Sequence, residues 1–298
     1  MARERVRWVL KLATFVLGLA LVAGAVVSAV HQGRGALAHV RHAPAWLVGA
    51  SVAMVLANLF LTAAIFHVVT RSFDADPPVR LRRMWDLTCA ATLLNYLPLL
   101  RAGMVGRTAY LKLRHALPIH QGIIIAALVF GLFAIAATGA AALVLGVSGP
   151  WQAGLGLAAL GVMAAVTGPV AGSLLRRRLH QAWLWLPLRV ADVLAMAGRF
   201  WVAFRIVGHP IDLRAAIVFG AADMIVSVLG ITPNGLGLAE WTTGAMSTAL
   251  AGADPSVGQL AKLVDRGISI AVLIPVALWS LHCLRKPENE RRETHEPD

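Results

Sequence analysis

The sequence predicts an all-α polytopic membrane protein in which six spanning helices and two re-entrant helical hairpins form an inverted repeat. Of its 298 residues, 58% are hydrophobic and only 14% are charged. Several apolar runs exceed the roughly 18 residues that cross a bilayer as a helix. Two further apolar runs are interrupted by proline and glycine. This composition excludes a soluble globular protein.

Six runs are long enough to span a membrane. They cover residues 8–30, 46–69, 119–147, 151–174, 183–207 and 258–283. The first run resembles a signal peptide, but its length of 23 residues from Trp8 exceeds the usual core of roughly 7 to 15 residues. We therefore interpret it as a retained first helix.

Two other runs are shorter and broken, at residues 84–115 and 214–252. A broken helix at membrane depth leaves backbone groups that lipid cannot satisfy, so it persists only where protein or a polar cavity covers it. In inverted-repeat transporters such breaks form the substrate site. The two breaks are therefore the first candidates for a ligand site.

The distribution of basic residues predicts the orientation of the chain. If each broken run enters and leaves on one side, 19 basic residues face the cytoplasm and 4 face the opposite side. The positive-inside rule then places both termini in the cytoplasm. We expect a multi-pass protein of the plasma (inner) membrane.

The two halves of the chain contain the same order of elements. Each half consists of two spans, a broken hairpin and a third span, and the two halves begin on opposite sides of the membrane. The halves are residues 8–147 (repeat one) and 151–283 (repeat two). This order predicts a single transmembrane domain over 1–298 with hairpin tips meeting near the midplane. A chance coincidence of ordinary membrane glycines and prolines is the alternative. The charged tail, 284–298, is predicted to be disordered.

The second break contains most of the predicted substrate-binding residues. Pro233 blocks continuation of a helix, while Gly235 and Gly237 allow the chain to unwind around Asn234. The next helix then begins with spare amides that attract an anion. Glu240 lies in its first turn and either satisfies those amides or contacts substrate or a proton.

The first break adds two arginines. Arg101 and Arg107 flank the turn, and Gly103 allows close backbone approach. The planar guanidinium suits a phosphate or carboxylate headgroup. The alternative is that these arginines anchor the hairpin at the membrane surface. Asn95, just before the break, is expected to cap it.

Charged residues also occur inside the predicted spans. Such charges are costly unless each one has a partner or faces water. Asp265 and Arg266 are adjacent in the last span, about 100° apart on a helix, so they cannot face one point. Arg266 is a substrate-binding candidate and Asp265 a candidate for proton or charge coupling. A structural ion pair to another helix is the alternative.

The fifth span and the second hairpin contain the remaining candidates. Arg189, Asp192 and Arg199 recur on one helical face, which we expect to point away from lipid. Asp192 and Asp223 are further candidates for proton or charge coupling.

Several functional classes have no support in the sequence. No phosphate-binding loop, zinc-protease motif or hydrolase nucleophile motif occurs, and no Cys/His cluster has zinc spacing. The formal net charge of +12 falls between spans, which indicates topology and not a nucleic-acid surface. We therefore predict no catalytic residue, no metal, no cofactor and no nucleic-acid partner.

The breaks resemble those of the lysylphosphatidylglycerol synthase transmembrane region family, flippase-like integral membrane proteins. The second-half residues that carry the resemblance are Pro233, Gly235, Gly237, Glu240 and Arg266. Those of the first half are Asn95, Pro98, Arg101, Gly103 and Arg107, with Met104 standing where the family has Glu. The resemblance implies transport of an anionic, phosphate-bearing lipid, such as a phospholipid or a polyprenyl-phosphate-type intermediate.

Two alternatives to transport stay open at this point. One is a membrane enzyme of lipid or cell-envelope biosynthesis with Asp192, Asp223 or Asp265 as base. The other is an accessory subunit that presents lipid to an envelope-biosynthesis enzyme. The aminoacyl transferase domain of the family's two-part synthases is not expected in this chain, so enzyme activity is uncertain and transport is favoured.

Overall fold

The computed structural model describes residues 2–73, 75–96, 102–146, 182–229 and 232–285. These ranges contain ten α-helices, one short 3₁₀ turn and no strand. The helices are α1 (Ala2–Gln32), α2 (Arg34–Arg41), α3 (Ala45–Thr70), α4 (Leu81–Leu94), α5 (Ala102–His115), α6 (Ile119–Gly146), α7 (Ala182–Ile206), α8 (Leu213–Leu229), α9 (Leu238–Ala251) and α10 (Pro255–Arg285). The predicted span at 151–174 and the tail beyond residue 285 lie outside the described residues.

Four of these helices are long and apolar enough to cross a membrane. They are Leu12–Gln32 within α1, Ala45–Thr70, Ile119–Val144 within α6 and Pro255–Arg285. Helix α7 occupies the predicted fifth span, but its four charged residues make it too polar to be counted with the four apolar helices. These are Arg189, Asp192, Arg199 and Arg205. The coarse prediction is confirmed for the described residues: they are all-helical, and four helices have the length and composition of membrane spans.

The first broken run forms two helices that fold back on each other. Helices α4 and α5 have 14 residues each, or about 21 Å, which is shorter than the roughly 30 Å hydrocarbon core. The Asp76 N–H donates to the carbonyl oxygen of His115 at 3.0 Å, and Nδ1 of His115 lies 2.6 Å from the carbonyl oxygen of Pro77. The end of α5 therefore returns to the segment before α4. We call residues 81–115 hairpin 1.

The second broken run has the same plan. Helices α8 and α9 are joined through the 3₁₀ turn Pro233–Gly235, and Asn234, Gly235 and Gly237 have positive φ values of 49°, 67° and 78°. Nε2 of His209, just before α8, lies 2.9 Å from the carbonyl oxygen of Ala251 at the end of α9. We call residues 213–251 hairpin 2. The glycine-rich break that the sequence predicted is confirmed.

Each hairpin packs against the long helix of the other half of the chain. Helix α4 lies along α10, and α8 lies along α6. Within each half, α5 contacts α6 and α9 contacts α10, while α3 and α7 pack side by side. These packing contacts of one half thus have counterparts in the other.

Close packing explains why glycine stands at the second break. A Cβ at Gly237 would collide with Leu21 and with the carbonyl oxygen of Gly18, both on α1. The indole Nε1 of Trp241 donates to the carbonyl oxygen of Leu21 at 3.0 Å. Helix α1 therefore fixes the position of the break.

Candidate functional site

A cavity of about 210 Å³ lies between the two hairpins and is enclosed by α3, α6, α7 and α10. Its polar lining comes from nearly every one of these elements: Asn58, Thr62, Thr92, Asn95, Tyr96, Arg107, Thr108, Arg199, Asp223, Ser227, Asn234, Lys262, Asp265, Arg266 and Ser269. Its apolar lining includes Val55, Leu59, Phe66, Ile125, Phe130, Phe133, Met196 and Leu273. Both breaks thus contribute to a single amphipathic cavity.

Arg266 satisfies the second break from within the protein. Its Nε lies 2.5 Å from Oε1 of Glu240, whose side chain is 0% exposed. Its Nη2 donates to the carbonyl oxygen of Gly235 at 3.3 Å, and its Nη1 lies 3.5 Å from that of Asn234. Glu240 therefore neutralises Arg266, and Arg266 supplies donors to carbonyls that the unwound segment leaves open. Arg266 thus forms the ion pair to another helix that was its structural alternative, whereas Glu240 pairs with Arg266 and not with the amides of its own helix start.

Asp265 faces a different neighbour. Arg199 binds it with both arms of the guanidinium, Nε to Oδ1 at 2.8 Å and Nη2 to Oδ2 at 2.9 Å. Lys262 adds a third contact at 3.0 Å. Asp265 and Arg266 thus contact different helices, as their 100° separation predicted. Because Asp265 is 0% exposed, it depends on these cations for its charged form.

The ion pairs continue on both sides of Asp265. Lys262 also contacts Asp223 of hairpin 2 at 2.8 Å. Asn58 of α3 accepts a hydrogen bond from Arg199 at 3.2 Å and donates to Asp192 at 2.7 Å. Asp192 in turn pairs with Arg189 at 3.0 Å. The charged face of α7 therefore points into the protein, as predicted, and its charges are compensated.

The first break is held by a side chain and a close backbone contact. The Gly103 N–H donates to Oδ1 of Asn95 at 3.1 Å, so the predicted capping role of Asn95 is confirmed. A Cβ at Gly103 would collide with the carbonyl oxygen of Ala91 on α4. Arg101 lies outside the described residues.

Arg107 has a different environment from the other cations of the cavity. Its guanidinium carbon lies 3.5 Å from the centre of the Phe66 ring, and Nη2 donates to Oγ1 of Thr88 at 3.3 Å. Its Nε is buried and has no hydrogen-bond partner. Within the described ranges, no carboxylate forms an ion pair with it.

The charges of the site therefore do not cancel completely. Arg189, Arg199, Lys262 and Arg266 are matched by Asp192, Asp265, Asp223 and Glu240. Arg107 is the one cation of this set without an acidic partner in the part of the chain that the structure describes. Among the described residues, this set of charged side chains thus has an excess of one positive charge.

The structure brings five of the twelve predicted site residues to this cavity. Arg107, Asn234, Arg266, Asp223 and Asp265 line it. Six others are not part of the lining, and the twelfth, Arg101, lies outside the described residues. The six are Gly103, Pro233, Gly235, Gly237, Glu240 and Asp192.

Sequence reasoning missed two residues of the site. Lys262 lies three residues before Asp265 in an otherwise apolar helix, a position where a charge signals function. Asn58 is an amide in the middle of an apolar span. The position of Lys262 close to Asp265 could have identified it, but the pairing of Asn58 with Asp192 and Arg199 of α7 depends on packing.

The described residues contain no group of three or more His, Cys, Asp or Glu that could hold a metal ion. Comparison of the chain with protein-family models, with curated proteins and with solved structures found no match. The resemblance to the lysylphosphatidylglycerol synthase transmembrane region stays a prediction from the residues of the two breaks.

Proposed function

We propose that this protein is a flippase-like transporter that moves an anionic, phosphate-bearing lipid or lipid-linked intermediate across the plasma membrane. One observation carries the proposal: Arg107 lines a cavity between two helix breaks and has no carboxylate partner among the described residues. A desolvated cation is costly unless a counter-charge reaches it. An anionic ligand supplies that charge.

The size and lining of the cavity suit a lipid headgroup. About 210 Å³ is below the roughly 300 to 1,000 Å³ of pockets for drug-sized ligands. A phosphate-bearing headgroup fits this space, whereas the tails of a lipid do not. The tails then stay in the bilayer while the headgroup passes between the hairpins.

The packing of the helices supports alternating access between two inverted repeats. Each hairpin rests on the long helix of the other half, and α3 and α7 lie side by side. We propose that six spans and two re-entrant hairpins complete this plan, with both termini in the cytoplasm. Rocking one half against the other then exposes the cavity to one leaflet at a time.

Cysteine labelling tests this topology directly. Lys112 at the end of hairpin 1 and Thr248 at the end of hairpin 2 are exposed, and both native cysteines are buried. In intact cells, a membrane-impermeant maleimide should modify Thr248→Cys, whereas Lys112→Cys should require permeabilisation. Labelling of both positions from the same side contradicts the inverted repeat.

A lipid-flipping assay tests the function. Proteoliposomes containing a fluorescent anionic lipid should show protein-dependent transfer between leaflets. Arg107→Gln should lower the rate about tenfold or more, since a hydrogen bond to a charged group contributes roughly 1.5 to 3 kcal/mol. Arg114→Gln is the matched control, because Arg114 lies on the same helix and is exposed. Equal rates for the wild type and Arg107→Gln would overturn the proposal.

The environment of the acids disfavours the enzyme alternative. Asp192, Asp223 and Asp265 each contact an arginine or lysine at 3.0 Å or less, so each carboxylate already has a cation as its partner inside the protein. A covalently changed lipid after incubation would favour an enzyme. A stable co-purifying enzyme with no flipping would favour the accessory subunit.

A further inference from the structure

We propose that Lys262 is a built-in counter-cation: its ammonium group occupies a site for a monovalent cation that hairpin 2 and α10 form together. The site lies on the wall of the cavity, at Asp223 and Asp265. A free sodium or potassium ion is therefore not required there. The role of Lys262 concerns the stability of hairpin 2 and not transport, so this proposal goes beyond the proposed function and can fail separately from it.

The surroundings of the ammonium group are those of a bound cation. Nζ of Lys262 lies 2.8 Å from Oδ1 of Asp223 on α8 and 3.0 Å from Oδ2 of Asp265 on its own helix. The centre of the Phe200 ring lies 5.1 Å from Nζ, within the range of a cation–π contact. Carboxylate oxygens also bind hard inorganic cations, and an ammonium ion is close to potassium in size. Lys262 thus supplies from inside the chain the charge that a free cation would supply.

The charges of this group balance although the group is buried. The side chains of Lys262, Asp223 and Asp265 are 5%, 7% and 0% exposed. Arg199 binds Asp265 with both arms of its guanidinium, so these four side chains comprise two cations and two carboxylates. Loss of the lysine charge would leave one buried carboxylate of the four without compensation, which is strongly destabilising. A replacement cation would restore the balance.

The lysine joins hairpin 2 to the last helix beside the cavity. Helix α8 packs mainly on α6, α7 and α9, and the contact of its Asp223 with Lys262 links it to α10 as well. Because Asp223, Lys262 and Asp265 all line the cavity, a small cation that enters the cavity reaches both carboxylates once the lysine side chain is removed. In the native protein these two acids therefore hold a fixed cation and not an exchanging one.

Cation-dependent thermal unfolding of the detergent-solubilised full chain tests the proposal. Lys262→Ala should melt several degrees higher in sodium or potassium chloride than in N-methylglucamine chloride of equal ionic strength, because a ligand stabilises the state that binds it. The wild type should show no difference between the three salts. The matched control, Lys112→Ala at an exposed lysine of hairpin 1, should show none either. Specific stabilisation of the wild type by sodium or potassium, or a Lys262→Ala protein that is insensitive to both, would overturn the proposal.

Chemical rescue examines the same site with an organic cation. Propylammonium has the heavy atoms that Lys262→Ala removes, so it should raise the melting temperature of this variant. Tetramethylammonium has the same charge but no N–H donor, and it should not. Neither ion should affect Lys112→Ala. Equal effects of the two ions on Lys262→Ala would show a response to charge in solution without a defined site, which contradicts the proposal.

A charge-balanced variant covers the case in which Lys262→Ala does not fold. Lys262→Met combined with Asp223→Asn removes the cation together with its partner on α8, so it should fold and melt at the same temperature in all three salts. A double variant that is no more stable than Lys262→Met alone would refute the role of charge balance. None of these measurements uses transport, so an absence of lipid flipping would refute the proposed function and leave the assignment of Lys262 intact.

Discussion

The arginines beside the two helix breaks of this protein, Arg266 and Arg107, have different partners. At the second break, Arg266 contacts Glu240 at 2.5 Å and donates to the carbonyl of Gly235. At the first, Arg107 rests on the Phe66 ring, 3.5 Å from its centre, and pairs with no carboxylate in the described part of the chain. The comparison indicates that the protein itself neutralises the arginine of the second break, whereas Arg107 presents a charge that a ligand can neutralise.

Position alone does not show which of the two arginines supports stability and which supports ligand binding, because each lies near a glycine-rich break. The side chains that each arginine contacts make this distinction. Removal of Arg266 leaves a buried carboxylate without a counter-charge, whereas removal of Arg107 leaves none. Stability should therefore depend on Arg266, and ligand binding on Arg107.

The largest expected effect is that of Arg266→Ala. It should lower the free energy of unfolding by about 3 to 5 kcal/mol, because Glu240 keeps a buried charge without a partner. Thermal unfolding in detergent measures this, with Arg214→Ala at an exposed site of α8 as the control. The double change Arg266→Met with Glu240→Leu should recover much of the loss. A melting temperature equal to that of the wild type would mean that the second break is not closed by this pair.

Gly237→Ala tests how closely α1 packs on the second break. Positive φ for a residue with a side chain costs about 1 to 2 kcal/mol, and the added Cβ also meets Leu21. Gly252→Ala is the matched control, with a φ of 59° and open space around its Cβ. Thermal unfolding should therefore show a larger loss at Gly237, and equal losses would refute a tight contact with α1.

Asn95→Ala examines the cap of the first break. Loss of the hydrogen bond from the Gly103 N–H should cost about 1 kcal/mol and leave the second break unaffected. Thermal unfolding measures the loss of stability, with the exposed Thr248→Ala as the reference. Hydrogen exchange measures its location: amide exchange should become faster in α4 and α5. Faster exchange in α9 would contradict this local role.

The smallest effect on stability is expected for Arg107→Gln. It removes a cation–π contact of about 0.5 to 1 kcal/mol and leaves no carboxylate unpaired. Short-chain phosphatidylglycerol should raise the melting temperature of the wild type, since a ligand stabilises the state that it binds, but not that of this variant. Destabilisation as large as that of Arg266→Ala would make the two breaks equivalent and remove the basis of the comparison.

Periodic and compositional signals predicted the helical elements well. The breaks at Pro233 to Gly237 and after Asn95 follow from proline and glycine chemistry, and both became helical hairpins. The inward face of α7 followed from the spacing of Arg189, Asp192 and Arg199. The same signals could not predict which polar side chains pair with each other. Asn58 is 134 residues from Asp192, and Lys262 is 39 residues from Asp223, so only packing brings them together.

The sequence by itself determined where helices begin, break and end, because hydrophobic run length, proline and glycine act locally on the backbone. It also determined which charges must lie away from lipid, since an unpaired charge there is too costly. Only the tertiary structure decided which charge is paired with which. Ion pairing depends on distances of about 3 Å between helices far apart in the chain, and those distances distinguish Arg266, which pairs with Glu240, from Arg107, which pairs with no carboxylate in the described ranges.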